Sequence, residues 1–261
     1  MPMHERLSFY IPRSSTLHQL NPLTKVTLTF TLIILAFFSP WYWTAPLLAV
    51  GVILPLSALG QVLRPYLSAA ARLVLPAVAF IFVMQSLFLP GGQTVLVRLW
   101  LLEVTVESLS AAFLTTTRIF AMVSAFILFL LTTHPSHLMS DLTRRKLPAA
   151  FAYVIISTLQ IIPQMQAKAQ TIMDAQRARG LDTESGFIRR VQALTPLVGP
   201  LVFGSLVEVE ERAIAIEARG FSSTRPKTSL HEIPDTPRDR AIRWVLLALI
   251  VLTFASKLWL S

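Results

Sequence analysis

Long uncharged stretches dominate the first half of this chain. Residues 26–63 contain no charged residue, and a single helix of that length would measure roughly 57 Å, nearly two thicknesses of a bilayer core. The proline at position 40 can end a helix, and the aromatic residues 41–43 suit a membrane interface. The pattern therefore predicts two antiparallel membrane-spanning helices that are joined at this point.

Three further apolar stretches predict three more spans, over residues 73–97, 108–133 and 244–260. The first of these follows a turn that is bracketed by Arg64 and Arg72, and a Pro-Gly-Gly loop signal at 90–92 lies near its end. The second contains Arg118, a charge that normally faces protein or water when it lies in a membrane. We thus expect an all-α, polytopic membrane protein with about five transmembrane helices.

The polar segment 134–243 contains two uncharged stretches, 147–167 and 191–207, whose placement decides the topology. If both crossed the membrane, five basic residues between them would be exported, against the positive-inside rule. If neither crosses and the N-terminus is cytoplasmic, all but three of the 23 Lys and Arg residues lie on the cytoplasmic side. We therefore expect two long helices on or partly in the cytoplasmic face of a cell membrane.

This topology predicts three domains. Residues 1–133 form an N-terminal membrane domain with about four transmembrane helices, residues 134–243 form a cytoplasmic domain with two long helices, and residues 244–261 form a C-terminal transmembrane helix. The first 25 residues lack the apolar core of a cleaved signal peptide, so the first span is expected to be retained.

Apolar residues recur at steps of three and four in both long helices of the polar segment, as expected for amphipathic helices. In the first helix the stripe is Phe151, Ile155, Leu159, Ile162, Met165, Ala169 and Ile172. In the second helix it is Leu194, Leu197, Leu201, Val209, Ala213 and Ile216.

Each of these helices is expected to end at the same tripeptide, Ala178-Arg179-Gly180 in the first and Ala218-Arg219-Gly220 in the second. Glycine is favoured just after a helix C-terminus, and a cation in the last turn suits the helix dipole. An arginine at that place can also present its planar guanidinium to a carboxylate of another protein. Helix capping and partner docking therefore both remain open from the residues alone.

Composition narrows the possible chemistry. Hydrophobic residues make up 54% of the chain and charged residues 14%, against about 25% charged in ordinary soluble domains. The net charge is +9, but the basic residues follow no nucleic-acid-binding motif, so no nucleic-acid partner is expected. There is no cysteine for a disulfide, a thiolate nucleophile or a cysteine metal site.

Catalytic and cofactor signals are weak. The sequence contains no phosphate-binding loop, HExxH or GxSxG motif, so any ATP must be hydrolysed by another chain. His134 and His137 are separated by Pro135 and lack a paired acid, and we expect neither a metal site nor a cofactor. Glu208 and its neighbours fit a solvated, salt-paired helix face.

Several motifs together resemble the transmembrane T components of energy-coupling factor (ECF) transporters. The segment Leu17-His18-Gln19-Leu20-Asn21-Pro22-Leu23-Thr24-Lys25 is similar to the one that precedes the first span in that family. The stretches Ala175-Gln176-Arg177-Ala178-Arg179-Gly180 and Glu217-Ala218-Arg219-Gly220-Phe221 resemble the two coupling-helix signatures, in the same order. One departure is Gln160, since the family often has an arginine shortly before the proline of the first coupling helix.

The resemblance implies a non-catalytic scaffold in a bacterial or archaeal membrane. It would join two ABC-type ATPase subunits to a small membrane S component, which binds a vitamin or a transition-metal ion. Ala178, Arg179, Gly180, Ala218, Arg219 and Gly220 would dock in the ATPases. The apolar residues Phe151, Ile155, Leu159, Ile162 and Met165 would contact the S component.

Two other functions remain alternatives. A permease subunit of an ordinary ABC transporter would also dock ATPases but would line the substrate path itself. A membrane-embedded enzyme would use Arg118 and the cytoplasmic carboxylates, although no catalytic motif supports it.

Overall fold

A computed structural model describes residues 10–89, 94–99, 102–180, 187–223 and 234–260 of the chain. Helices dominate these residues: α1 (Thr16–Gln19), α2 (Pro22–Phe38), α3 (Thr44–Leu59), α4 (Leu63–Phe88), α5 (Val106–Thr132), α6 (Pro135–Arg144), α7 (Ala149–Ala178), α8 (Phe187–Ala218) and α9 (Pro237–Leu260). A short antiparallel hairpin, β1 (Val95–Leu99) and β2 (Leu102–Thr105), precedes α5. The predicted all-α class is confirmed.

The chain divides into two compact units. The described residues of Ser8–Arg145 and His231–Ser261 form the bundle unit, which contains α1 to α6 and α9. The described residues of Lys146–Leu230 form the two-helix unit, which contains α7 and α8. The three domains predicted from the sequence are defined by which segments the membrane embeds. The two units are defined by contacts within the chain and do not test that division, which stays a prediction.

Among the described residues, three helices are long and apolar enough to cross a membrane: α4, α5 and the Pro237–Trp259 part of α9. The helices α2 and α3 are apolar but shorter, at 17 residues and about 16 residues, or roughly 25 Å each against about 30 Å of hydrocarbon. They occupy the two spans predicted for residues 26–63, and α2 ends at Phe38, before the proline that was expected to end it.

The predicted bounds of the third span, 73–97, are wrong. The helix α4 starts at Leu63, includes Arg64 and Arg72, and ends at Phe88. Both arginines are exposed on the helix surface, where a charge does not interrupt helical backbone. The turn instead lies at residues 60–62, where Gln61 has a φ of 55°. The predicted loop signal at 90–92 lies outside the described residues.

Prolines are accommodated inside α3 and α4 by a wider turn. Each helix contains five residues of π-helix, Ala49–Ile53 and Ala70–Val74, which end two residues before Pro55 and Pro76. A proline in a helix interior removes one backbone donor and crowds the preceding turn. A π turn next to the proline gives the ring more space, so both helices continue past it.

A buried lysine joins three helices of the bundle unit. Lys25 lies in the first turn of α2 and is 5% exposed, and its ammonium donates to the carbonyls of His18 (3.0 Å) and Thr132 (2.9 Å). These carbonyls belong to the last turns of α1 and α5, whose final carbonyls lack partners within the helix. A cation there also suits both helix dipoles.

Asn21 joins the start of α2 to α6 and α9. Its backbone N–H donates to Asp239 Oδ1 (3.1 Å), and its side-chain amide donates to Asp141 Oδ1 (3.3 Å). Its own Oδ1 accepts from the backbone N–H of Leu23 and so caps α2. All three polar side chains are buried. These bonds, with those of Lys25, bring together the N-termini of α2 and α9 and the C-terminus of α5 at one end of the unit. This arrangement is expected if α2 to α5 and α9 cross a membrane as five spans, because the first and the fifth span then begin on the same side.

Next to this group, Asp235 accepts from Arg243 (2.6 Å) and from Arg145 (3.0 Å). The Arg243 guanidinium, assisted by Arg145 and Arg240, holds the pKa of the Asp235 carboxyl below its usual value. The carboxylate therefore links the end of α6 to the start of α9 at neutral pH.

Arg118 lies within α5, level with the far end of α2. Its guanidinium donates to the carbonyl of Ser39 (3.1 Å), the residue that follows the last residue of α2. The charge thus satisfies the carbonyl end of a neighbouring helix, which is a structural contact within the bundle.

Replacing Lys25 by Met tests the three-helix junction. The change keeps an unbranched side chain of nearly the same length but removes the donors to His18 and Thr132, and we expect a loss of about 2–4 kcal/mol in the free energy of unfolding. The unfolding midpoint of the detergent-solubilised chain should fall by several degrees. Lys257→Met is the matched control, because Lys257 is exposed and lies over the Phe38 ring at 5.1 Å. Equal shifts for both variants would contradict the assignment.

Candidate docking site on the two-helix unit

The second Ala-Arg-Gly motif ends α8 in a closed backbone turn. Gly220 has a φ of 75°; its N–H donates to the Glu217 carbonyl (2.8 Å), and the Phe221 N–H donates to the Ile216 carbonyl (3.1 Å). This pair of bonds is the Schellman motif, in which glycine supplies the left-handed residue. The prediction that Gly220 terminates the helix is confirmed.

The first motif ends α7 in the same way. Gly180 has a φ of 90°, and its N–H donates to the Arg177 carbonyl at 2.9 Å, the bond that corresponds to Gly220–Glu217. The residues after Gly180 lie outside the described part of the chain. The predicted cap at Gly180 is therefore confirmed, and the two helix ends share the positive φ of the glycine and this hydrogen bond.

The backbone closes both helix ends, so the arginine side chains are not needed as caps. Ala178, Arg179, Ala218 and Arg219 are all exposed. Among the residues that the structure describes, neither Arg179 nor Arg219 has an ion-pair or hydrogen-bond partner for its guanidinium. Each helix thus presents an exposed guanidinium at its tip, and a guanidinium can form two parallel hydrogen bonds to a carboxylate.

The two helices run antiparallel and contact each other through side chains. Lys168 of α7 forms an ion pair with Glu208 of α8, and the rings of Tyr153 and Phe221 lie 5.3 Å apart between centroids. Residue numbers rise along one helix as they fall along the other. The two tips therefore point in opposite directions from the Lys168–Glu208 contact.

The tips are equally far from this contact along their helices. Arg179 follows Lys168 by eleven residues, and Arg219 follows Glu208 by eleven residues. At about 1.5 Å per residue, each arm is about 16 Å long. The two guanidiniums thus end a pair of equal arms, roughly 30 Å apart along the helices.

The positive charges beside Glu208 favour the ionised form of its carboxyl at the contact with Lys168. The hydrogen bond from Lys168, with the nearby Arg212 (3.4 Å), lowers the pKa of Glu208 below its usual value. Glu208 therefore stays negative at physiological pH. The expected solvated, salt-paired role for this glutamate is confirmed, and it includes a bond between helices that the sequence did not reveal.

The predicted apolar stripe of α7 is open on the surface of the chain. Phe151 is 63% exposed and Ile162 46%. Ile155 and Leu159 are also exposed, whereas Met165 is half-buried. On α8, Leu197 is buried and Leu201 half-buried, while the side chain of Leu194 lies outside the described part. The role of the α7 stripe as a contact with another protein stays a prediction.

No group of three or more possible metal ligands occurs among the described residues. The rings of His134 and His137 lie 5.3 Å apart, and Tyr10 packs edge-on against His134 at 5.2 Å. Burial lowers the pKa of His134, which keeps its imidazole neutral near pH 7. It serves as a helix cap, because its Nδ1 accepts from the backbone N–H of Ser136.

Sequence reasoning missed the polar residues that hold the bundle together. Lys25 and Asn21 belong to the segment 17–25 that resembles the family's entry motif. Their partners Thr132, Asp141 and Asp239, however, lie far along the chain. One local signal was present: Thr236 and Asp239 have the spacing of a capping box, and Thr236 and Asp239 do bond each other at the start of α9.

The fold and the exposed tips define a class: an all-helical, multi-span membrane protein that presents two equivalent arginine-tipped helices. Comparison with known proteins supports the class. The family model CbiQ, described as cobalt transport protein, matches residues 13–230. The chain belongs to this family and is the transmembrane T component of an energy-coupling factor transporter.

Its relatives match it over almost their whole length. The energy-coupling factor transporter transmembrane protein EcfT of Thermanaerovibrio acidaminovorans is 30% identical and aligns with 98% of this chain and 96% of its own. EcfT of Exiguobacterium sibiricum is 30% identical, with 92% and 94% covered. EcfT of Bacillus subtilis is 28% identical, with 94% and 95% covered. These names describe transport proteins, not enzymes.

Gly220→Ala tests the helix end. An alanine with φ near 75° costs about 1–2 kcal/mol, so the last turn of α8 should exchange its amide hydrogens faster. Gly204→Ala is the matched control inside α8, where an added Cβ meets nothing within 4 Å, and it should stabilise the helix by about 0.5–1 kcal/mol. Slower exchange in both variants would show that the cap does not depend on glycine.

Proposed function

We propose that this chain is the coupling subunit of an ECF-type importer, which transmits the ATP-driven motion of two ATPase subunits to a membrane S component. One observation carries the proposal: two exposed helix ends, each closed by a glycine with positive φ, lie at equal distances along the chain from their crossing contact. Equivalent tips suit a partner with two equivalent grooves, such as a pair of homologous ATPases.

Docking places each guanidinium in one ATPase groove. Arg179 and Arg219 lie at the ends of rigid helices, and each would bind a groove carboxylate through two hydrogen bonds. The flanking Ala178 and Ala218 leave space around the tip, and Gly180 and Gly220 fix its direction. When ATP draws the two ATPases together, the grooves move, and the tips move with them.

The S component is proposed to bind the apolar stripe of α7. Phe151, Ile155, Leu159 and Ile162 expose hydrocarbon to the surroundings of the isolated chain, and Met165 extends the stripe by one turn. Exposed apolar patches of this kind mark contacts with proteins or membranes. A change in the direction of α7 would then move the bound S component.

Orientation follows from the distribution of charge. The end of the bundle where α2 and α9 begin also carries Lys25, Arg145 and Arg243. Under the positive-inside rule this end faces the cytoplasm, which makes the N-terminus cytoplasmic. We propose the cell membrane of a bacterium or archaeon as the location.

Cargo selection is assigned to the S component. The matched family is described as cobalt transport protein, and the resemblance of the chain to T components implies a vitamin or a transition-metal ion. The proposal therefore gives this chain a part in energy coupling, with hydrolysis performed by the ATPases.

The double variant Arg179→Glu with Arg219→Glu tests the docking step. Both guanidiniums become carboxylates that repel the groove carboxylates, so the ATPases should no longer co-purify with the chain. Each single variant should retain part of the ATPase, because one tip remains. The measurement is the ATPase content, by mass spectrometry, of complexes isolated in mild detergent.

Arg13→Glu with Arg144→Glu is the matched control. Both residues are exposed and lie outside the motifs, and the pair makes the same change in net charge. The control should keep its ATPases. Full ATPase recovery with the Arg179/Arg219 double variant would refute docking through the tips.

A further inference from the structure

Among the described residues, one ion pair, Lys168–Glu208, joins the two arms of the candidate docking site. Lys168 and Glu208 carry the charges, and each lies eleven residues before the arginine of its own helix. We propose that Lys168 and Glu208 are positioning residues for energy coupling: their ion pair is the pivot about which the arms turn. This inference rests on the proposed function for its consequence in transport, but the pivot itself can be measured in the chain alone.

The position of the pair supports a pivot. The contact lies midway between the two tips. When the arms turn about it, the displacement of one tip is transmitted to the other, and neither arm changes its length. The second contact, between the rings of Tyr153 and Phe221, lies close to one end of the helix pair. It therefore limits the angle between the arms, whereas the ion pair fixes where they cross.

The exposure of the pair supports movement. The side chains of Lys168 and Glu208 are 45% and 28% exposed, so water and salt screen their attraction. Such a bond can lengthen and re-form as the angle changes, unlike a packed apolar contact. Glu208 also bonds Arg212 of its own helix, which keeps the carboxylate oriented when the lysine moves.

A spectroscopic distance measurement tests the pivot. The chain contains no cysteine, so spin labels can be placed at Ala175→Cys and Ala215→Cys, which are exposed and lie four residues before Arg179 and Arg219. In nanodiscs, without partners, this background should give one narrow distance distribution. Adding Lys168→Ala should increase the population outside that peak about twofold to fivefold, as expected for the loss of one exposed ion pair.

Three further variants separate pivoting from general stability. Lys168→Arg keeps the charge and should keep the narrow peak. Asp174→Ala removes an ion pair that lies within α7, with Arg177, and should also leave the peak unchanged. The exchange of charges in Lys168→Glu with Glu208→Lys should restore the peak that either single reversal broadens. A peak unaffected by Lys168→Ala, or equally broadened by Asp174→Ala, overturns the pivot.

The complete transporter in proteoliposomes supplies the functional readout. Lys168→Ala should retain its ATPases and hydrolyse ATP, but the substrate moved per ATP should fall about twofold to fivefold, and the charge exchange should recover it. If the amount of substrate moved per ATP were unchanged in Lys168→Ala, the ion pair would have no role in energy coupling. Loss of docking is reported separately by the Arg179→Glu/Arg219→Glu variant, whose ATPase content does not depend on the label distances, so either proposal can fail alone.

Discussion

The constraint that organises this molecule is that every helix end must find partners for its free backbone groups in a chain with few polar residues. Lys25 supplies donors to the ends of α1 and α5, and Arg118 supplies one to the end of α2. Asp239 accepts from the start of α2 while it caps α9. The charges buried among apolar helices are therefore structural, and they determine which helix ends lie together.

The two helix ends of the docking site satisfy the same constraint without side chains. At Gly220 the carbonyls of the last turn accept from the backbone, and Gly180 repeats one of these bonds. A residue other than glycine would resist the positive φ of this turn. Because the backbone completes the cap, the side chains of Arg179 and Arg219 are not needed as caps, which leaves them available for the proposed docking.

Signals that act within a few residues could be predicted from the sequence. The end of α2 before Pro40 and the glycine caps of α7 and α8 depend on φ preferences that single residues carry. The start of α4 was missed because Arg64 and Arg72 resemble loop residues when their exposure on a helix is unknown. The partners of Lys25 and the Lys168–Glu208 pair join residues far apart in the chain, and a hydrophobic pattern contains no information about them.

The two-helix unit combines symmetry at its tips with asymmetry at its crossing. The tips carry the same tripeptide at a separation of 40 residues, and Lys168 and Glu208 have that separation too. If the symmetry of the helices were complete, the crossing positions would hold like charges and repel each other. Attraction at the crossing requires opposite charges, whereas the two equivalent grooves of the proposed ATPase partners would require equal tips. An exact internal repeat would satisfy the second requirement and violate the first, so α7 and α8 must differ at least at the crossing positions, Lys168 and Glu208.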